Sequence, residues 1–458
     1  MDSLLRHRSL VREAAALRSG ADDPVAAARR TCDRIDAVDP HVLAFVPEPD
    51  RRARLLDEAE RAVAAWDSAT AGAPDPAGRP AKPPLYGVTV GVKDIIRVDG
   101  LPTRAGSVLP PGVLAGPQAA VVDRLVAAGA LIAGKTVTAE FAVTAPGPTR
   151  NPHHVAHTPG GSSSGSAAAV AAGMVPLALG TQTVGSMIRP AAYCGIVGFK
   201  PSFDRVPTAG VIPNAVSFDT VGWYAQDVAG VTLAASVLCD AWPADTGTAP
   251  GPPPVLGVPA GPYLRRADDE ALAALRAQRE VLRRAGYTVV EVPVMEDFEE
   301  VVTQLFTMNR YEVARAHTEW YARFGDLYRE QTANALHEGH AVTDTAYEQA
   351  RARRAEFRDR LDAARVAAGA DLWITPAATG PAPFGLGSTG TSVMCLPWSN
   401  AGLPSVSLPA GYAANGLPLG LQLVGPYGSD PAVLAWSAGV EEALGAAGAG
   451  APASARPR

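Results

Sequence analysis

Residues 158–201 read TPGGSSSGSAAAVAAGMVPLALGTQTVGSMIRPAAYCGIVGFKP and carry most of the information about the fold. Two Gly/Ser-rich loops, at residues 160–166 and 180–186, bracket one alanine-rich segment. On both sides of this stretch, short apolar runs alternate with helical segments through residues 85–240. Because strands that alternate with helices are typical of α/β proteins, the sequence predicts that fold class.

Shifts in composition divide the rest of the chain into segments. Apolar residues at helical spacing predict helices near the N terminus and beyond residue 255. Pro- and Gly-rich stretches predict surface connectors at residues 68–84 and 242–254. The expected order is a helical N-terminal region (1–67), a catalytic core (85–240), a helical block that shapes the substrate site (255–370), closing strands (371–440) and a disordered tail (446–458).

Composition excludes several classes of protein. The 458 residues include 40 Lys and Arg against 46 Asp and Glu, and this net charge of −6 argues against a nucleic-acid-binding protein. The hydrophobic fraction of 47% argues against disorder over most of the chain. The four cysteines are scattered without a C-x-x-C pair, so we expect neither a disulfide framework nor a zinc site. The charged N terminus lacks the apolar core of a signal peptide, so we expect a cytoplasmic protein that does not contact the membrane.

Two short motifs match known signatures but lack their structural context. Residues 129–136 read G-x-x-x-x-G-K-T, but a P-loop follows a strand and precedes a helix, whereas here a helix comes first. Residues 161–165 read G-x-S-x-G with Ser163 in the centre, but a nucleophile elbow follows a buried strand, and the preceding residues are typical of a loop. Neither motif is therefore a good guide to function.

The residues themselves suggest another chemistry. Gly/Ser-rich loops place hydroxyls beside exposed backbone amides, as a serine nucleophile and an oxyanion hole require. Upstream, Lys93 ends the apolar run LYGVTVGV, where burial would keep its amine neutral and basic. A surface lysine that leads into the next turn fits the same pattern, and local physics leaves both interpretations open.

Several spaced motifs together resemble those of the amidase signature family. They are LYGVTVGVKD (85–94), GKTVTAEF (134–141), the two loops of residues 158–201, and LPWSNAGLPSVSLPAGYAANGLPLGLQLVGP (396–426). The resemblance covers most of the chain. It implies one large α/β domain, residues 1–445, with a central mixed β-sheet covered by helices on both faces.

The resemblance also implies a catalytic Ser–cisSer–Lys triad. Lys93 matches the lysine, Ser162 matches the bridging serine after a cis peptide bond, and Ser186 matches the nucleophile 24 positions later. Further residues implied for the site are the oxyanion-hole amides of Thr183, Val184, Gly185 and Ser186, and the supporting side chains of Ser163, which would hydrogen-bond Ser162, Gln182 and Arg189. No histidine, metal or cofactor is implied.

Three positions depart from the family pattern in the second loop. Gln182 stands in place of an aspartate, Val184 in place of a glycine, and Arg189 lies one position later than the common arginine. An amide can still donate and accept hydrogen bonds at position 182. A valine fits position 184 only if its φ is negative. The shifted arginine argues against the glutaminase subunit of a transamidosome, which belongs to the same family.

The leading hypothesis is a hydrolase of carbon–nitrogen bonds other than peptide bonds. It would cleave a linear carboxylic or urea-type amide of a small molecule through a serine acyl-enzyme. The alternatives are an acyl transferase or amide synthase that uses the same acyl-enzyme, and a catalytically silent subunit. The resemblance implies a homodimer as one assembly. We expect the substrate pocket to form from residues 106–110, 300–345 and 381–394, which do not identify the acyl group.

Overall fold

A ten-stranded mixed sheet forms the centre of the molecule. The computed structural model describes residues 4–70, 81–243 and 252–447. The strands are β1 (Thr89–Lys93), β2 (Leu131–Thr136), β3 (Leu177–Gln182), β4 (Val197–Lys200), β5 (Thr220–Ala225), β6 (Leu256–Ala260), β7 (Val289–Pro293), β8 (Leu372–Pro376), β9 (Ser405–Tyr412) and β10 (Pro418–Val424). The helices are α1 (Leu10–Ser19), α2 (Pro24–Val42), α3 (Arg51–Thr70), α4 (Ala120–Ala127), α5 (Ser164–Ala171), α6 (Ile188–Cys194), α7 (Val228–Leu238), α8 (Asp269–Arg284), α9 (Phe298–Ala316), α10 (Thr318–Phe324), α11 (Glu330–His340), α12 (Asp344–Ala367), α13 (Leu396–Asn400) and α14 (Asp430–Ala446).

The order of the strands brings the C-terminal ends of β1 and β3 together at one edge of the sheet. The sheet runs β2-β1-β3-β5-β4-β9-β10-β8-β6-β7. β1 is parallel to both β2 and β3, whereas β5, β4, β9 and β10 form an antiparallel centre. Since neighbouring parallel strands end at the same edge, Lys93 at the end of β1 lies beside the end of β3. The predicted α/β class is confirmed.

Helices cover both faces of this sheet. Successive side chains of a strand point to opposite faces. In β3, Leu177 and Leu179 pack into a core that includes Val231 of α7, whereas Ala178 packs into a second core formed largely by α2 and α5. The small side chains of α5 let that helix lie directly on β3, which places both Gly/Ser-rich loops at one edge of the sheet.

The segment at residues 255–370 differs from the expected helical block. It also supplies β6 and β7, which extend the same sheet. Its helices are separate elements, since α9 ends at Ala316 and α10 begins at Thr318. Helix α3 continues to Thr70, into the expected connector at 68–84. The rest of the predicted connectors at residues 71–80 and 244–251, and the tail from residue 448, lie outside the described residues.

The length and composition of the helices can be compared with the expectation that the protein does not contact a membrane. In the ranges given above, none of them is long and apolar enough to cross a bilayer. The longest, α12, has charged residues along its whole length.

A buried ion pair accounts for the lysine of the G-x-x-x-x-G-K-T motif. Lys135 Nζ lies 2.9 Å from Asp94 Oδ1, and the side chains are 4% and 1% exposed. Lys135 also donates a hydrogen bond to Thr103 Oγ1 over 2.9 Å. Burial raises the pKa of Asp94 and lowers the pKa of Lys135. The motif therefore lies on a strand, with its lysine in an internal ion pair.

We predict that Lys135→Met lowers the free energy of unfolding by about 3–5 kcal/mol, because it leaves the buried carboxylate of Asp94 without its partner. Urea unfolding measures this loss. The double variant Lys135→Met/Asp94→Asn should recover part of it, since no buried charge then remains. The matched control is Arg351→Met, which removes an ion pair exposed to solvent on both sides. Equal stability of Lys135→Met and the unsubstituted chain would contradict this account.

Candidate active site

Lys93 is fully buried among hydroxyl groups. Its Nζ lies 2.8 Å from Ser162 Oγ and 2.7 Å from Thr181 Oγ1. Lys93 ends β1, Thr181 lies near the end of β3, and Ser162 precedes α5. Three segments that are distant in sequence thus meet at one edge of the sheet.

The surroundings of Lys93 disfavour its charged form. Burial lowers the pKa of Lys93 to about 7, and the negative charge of Asp219 opposes part of this fall. Lys93 has no ion-pair partner within 4 Å in the described ranges, in contrast to Lys135. A large fraction of the amine is therefore neutral at neutral pH, with a lone pair that can accept a proton.

Arg189 holds the loop that carries Ser162. The peptide bond between Gly161 and Ser162 is cis. The Gly161 carbonyl accepts a hydrogen bond of 2.5 Å from Arg189 Nη2, and Arg189 Nη1 donates to the Gly390 carbonyl over 2.9 Å. A Cβ atom on Gly161 would lie 2.6 Å from Thr389 Cγ2, so only glycine permits this close approach. Arg189 therefore fixes the Ser162 loop against residues 389–390.

The loop between β3 and α6 presents backbone amides to a cavity. Thr183, Val184, Gly185 and Ser186 line this cavity, whose volume is about 190 Å³. In the described part of the chain, the N–H groups of Val184, Gly185 and Ser186 donate to no acceptor. An oxygen atom bound in the cavity could therefore accept hydrogen bonds from them.

Gln182 anchors the same loop at both ends. Its Oε1 accepts hydrogen bonds from the N–H groups of Met187 and Ile188 over 2.8 and 3.0 Å. Its Nε2 donates to Ser399 Oγ over 2.9 Å, and this hydroxyl donates to the Val184 carbonyl over 2.7 Å. Gln182 thus both donates and accepts hydrogen bonds, as expected for an amide at this position. Val184 is not among the described residues with positive φ, so the valine fits its position.

Ser163 does not hydrogen-bond Ser162, contrary to the expectation. Its Oγ donates to the Thr181 carbonyl over 3.0 Å and accepts from the Thr181 N–H over 3.2 Å. The α5 geometry points this side chain across to β3. Ser163 therefore fixes the residue whose own hydroxyl contacts Lys93, and any support for Ser162 is indirect.

Asp219, which the sequence analysis missed, lies behind the loop. Its Oδ1 accepts a hydrogen bond of 2.6 Å from Thr183 Oγ1, and its Oδ2 accepts from the N–H groups of Asn214 and Ala215 over 2.7 and 3.0 Å. Burial raises the pKa of Asp219 to about 6. Asp219 precedes β5 in an ordinary turn sequence, SFDT, which carries no local signal of such a role.

Comparison with known proteins decides the family. The family model described as Amidase matches residues 26–434. The chain belongs to the amidase family.

Relatives within the amidase family have several functions. One subunit of the glutamyl-tRNA(Gln) amidotransferase of Chloroflexus aggregans is 33% identical over 86% of this chain and 87% of its own. A crystal structure of an amidase has 32% identity and a TM-score of 0.82, and covers 95% of this chain and 100% of its own. A peptide amidase in complex with the competitive inhibitor chymostatin has 28% identity and a TM-score of 0.78, with 95% and 97% coverage. These relatives make this chain an amide-cleaving enzyme of the family, without fixing its substrate.

Two of the three expected pocket segments line the cavity of this amidase. Helix α9 contributes Phe306, Asn309 and Arg310, and the segment 389–392 closes the opposite side. Ser107, Leu109 and Pro110 line a separate cavity of about 380 Å³ with neighbouring residues of the same loop, so the expectation for residues 106–110 is wrong. At the start of that loop, Asp94 Oδ2 accepts a hydrogen bond from the Arg104 N–H over 3.2 Å.

A left-handed segment forms another wall of the cavity. Phe141 and Ala142 have φ values of 48° and 58°, which non-glycine residues seldom adopt. The preceding Glu140 is buried, and its carboxylate accepts hydrogen bonds from the Arg329 N–H over 3.1 Å and from Thr332 Oγ1 over 2.5 Å. Burial raises the pKa of Glu140. This carboxylate thus ties the cavity wall to the start of α11.

We predict that Gln182→Met lowers the free energy of unfolding by about 1–3 kcal/mol, because buried N–H groups of Met187 and Ile188 lose their acceptor. Thermal or urea unfolding at neutral pH measures the change. Gln182→Glu is the matched variant, since its carboxylate still accepts both hydrogen bonds, and it should lose less. The account fails if the methionine and glutamate variants are equally stable.

Proposed function

We propose that this chain hydrolyses a linear amide of a small molecule through an acyl-enzyme on Ser186, with Ser162 and Lys93 as the proton relay. The observation that carries the proposal is the burial of Lys93 within 2.8 Å of Ser162 Oγ, without an ion-pair partner in the part of the chain that the structure describes. A neutral lysine is the base that such a relay needs.

The first half of the reaction forms the acyl-enzyme. The neutral amine of Lys93 donates to Thr181 Oγ1 and accepts the proton of Ser162, which in turn accepts the proton of Ser186. Ser186 Oγ attacks the amide carbonyl, and the resulting oxyanion accepts hydrogen bonds from the N–H groups of the 184–186 loop. One such donor contributes about 3–4 kcal/mol in comparable enzymes.

The second half releases both products. The proton held by Lys93 returns through Ser162 to the nitrogen of the leaving group, and the C–N bond breaks with departure of the amine. Water then attacks the acyl-enzyme, giving up a proton to the same relay, and the carboxylic acid leaves from a regenerated Ser186.

A second candidate function follows from the relatives. The similarity to a component of glutamyl-tRNA(Gln) amidotransferase favours a role in which the amine released from an amide passes to an acceptor in a larger complex. Turnover of amides by the isolated chain, without other proteins, separates the two functions. Transfer of the acyl group to an amine or alcohol would use the same acyl-enzyme, and product analysis with added acceptor amines tests it.

We predict that Ser186→Ala lowers kcat for a small amide by about 10³-fold or more, because the relay then has no nucleophile to activate. A sulfonyl fluoride reagent should modify Ser186 of the unsubstituted chain, as peptide mass spectrometry would show. Ser236→Ala is the control, since this exposed serine of α7 lies outside the cavity. Modification of Ser162 instead of Ser186 would contradict the assigned order of the relay.

We predict that kcat/KM rises with pH through about 7, because only neutral Lys93 can accept the proton and the fraction of neutral amine increases as pH passes its pKa. Asp219→Asn should move this rise to lower pH, since it removes a negative charge that favours the protonated amine. A pH profile of kcat/KM measures both effects.

Lys200 provides the matched control for this profile. It is also buried, burial lowers its pKa to about 7, and its Nζ contacts the Pro201 carbonyl instead of a serine. Lys200→Met should therefore leave the position of the rise unchanged. A rise that moves in Lys200→Met, or that moves to higher pH in Asp219→Asn, would contradict the role of Lys93.

A further inference from the structure

We propose that the cavity selects amides whose acyl group carries a carboxylate, and that Arg310 binds this carboxylate. The inference deepens the proposed function and rests on it. Under this proposal, a side chain of α9 selects the substrate, and the residues around Ser186 carry out the reaction.

The cavity that Ser186 faces is positively charged. Among the residues that line it are two arginines, Arg189 and Arg310, and no aspartate or glutamate. Arg189 is occupied within the protein by the Gly161 and Gly390 carbonyls and by Thr389. Arg310 is therefore the guanidinium left to meet a ligand.

Arg310 keeps most of its donors available. Its Nε donates to Glu338 Oε2 over 2.8 Å, and its Nη1 donates to Asn309 Oδ1 over 3.0 Å. A guanidinium has five N–H donors, so about three remain, and they meet no acceptor in the described ranges of the chain. A carboxylate can accept two parallel hydrogen bonds from such a fork.

Glu338 does not cancel the charge of Arg310. The side chain of Glu338 is 63% exposed, whereas that of Arg310 is 20% exposed. An ion pair so open to solvent contributes little and competes weakly with a ligand that binds inside the cavity. Glu338 holds one edge of the guanidinium and leaves the other edge free.

The position of Arg310 is fixed before any ligand binds. Its guanidinium carbon lies 5.4 Å from the centre of the Phe306 ring, which also lines the cavity. Helix α11 packs directly on the same turn of α9, since a Cβ atom on Gly339 would lie 1.9 Å from the Arg310 carbonyl oxygen. A fixed side chain loses little conformational entropy when it binds a ligand.

The side-chain amides of Asn309 and Asn214 continue the hydrogen bonds of Arg310. Because Arg310 can only donate, Asn309 must turn its oxygen toward Arg310 and its NH₂ group toward Asn214 Oδ1, 2.9 Å away. Asn214 Nδ2 then donates to the Phe141 carbonyl over 3.4 Å. The oxygens of Asn309 and Asn214 therefore both accept hydrogen bonds from neighbouring side chains within the protein.

A short acyl group suits a cavity of about 190 Å³. A monoamide of a short dicarboxylic acid is therefore a suitable probe, and we choose succinamate. Succinamide has the same shape with a second neutral amide in place of the carboxylate.

The test compares kcat/KM for succinamate and succinamide, per amide group. The unsubstituted chain should prefer succinamate by about ten- to a hundredfold, as expected for a hydrogen-bonded charge pair. Arg310→Met should bring the ratio near one, and Arg310→Lys should give an intermediate ratio because it keeps the charge without the fork. Added salt should reduce the preference of the unsubstituted chain.

Arg315→Met is the matched control. Arg315 lies on the same helix, stacks on Tyr311 and pairs with Asp344, but it does not line the cavity. Its substitution should leave the ratio unchanged. Equal loss of the preference in both variants would show that a change in α9, and not the lost cavity charge, is responsible.

A binding measurement keeps this inference separate from the proposed function. Calorimetry on Ser186→Ala should show that succinate binds more tightly than succinamide, and that Arg310→Met added to Ser186→Ala removes the difference. Turnover of succinamide with no preference for succinamate, together with equal binding, would overturn the role of Arg310 and leave the amidase proposal intact. Preferential binding of succinate without turnover of any amide would support Arg310 and overturn the amidase proposal.

Discussion

The burial of Lys93 is the constraint on which the rest of the site depends. A buried ammonium group without a carboxylate partner is costly, so the amine gives up its proton more readily. The neighbouring Lys135 shows the alternative at the same edge of the sheet, because Asp94 lies 2.9 Å from it and forms an ion pair. Adjacent parallel strands thus carry, at their ends, two buried lysines with opposite environments. This contrast separates the lysine suited to proton transfer from the one suited to holding structure.

Neutral hydroxyl groups are the direct hydrogen-bonding partners of the Lys93 amine. The contacts of its amine are the hydroxyls of Ser162 and Thr181, and Ser163 fixes Thr181 through the backbone. Gln182 anchors the next loop as an uncharged amide through Met187, Ile188 and Ser399. The departure from aspartate at position 182 therefore keeps hydrogen bonds that hold the loop.

Lys93, Ser162 and Ser186 were predicted as site residues from the resemblance of their motifs to a known family, because local physics left the role of Lys93 open. Regular periodicity predicted the alternation of strands and helices around them. The strands β6 and β7 were missed because each is only five residues long and the highly charged helix α8 lies between them. Asp219 reaches the site through the pairing of β3 with β5. Such pairing depends on the whole sheet, and no local pattern records it.

The residues that α9 contributes to the cavity could be predicted from sequence only in part. Asn309 and Arg310 follow Phe306 by three and four positions, so a helix brings both of them onto the face that carries Phe306. The sequence therefore contained the cluster of one aromatic ring, one amide and one guanidinium. It could not tell whether this face meets solvent or the cavity at Ser186, because that depends on how α11 packs against α9 at Gly339 and on where residues 389–392 cross the opposite side. Helical periodicity identifies which side chains act together, and only tertiary packing determines what they act upon.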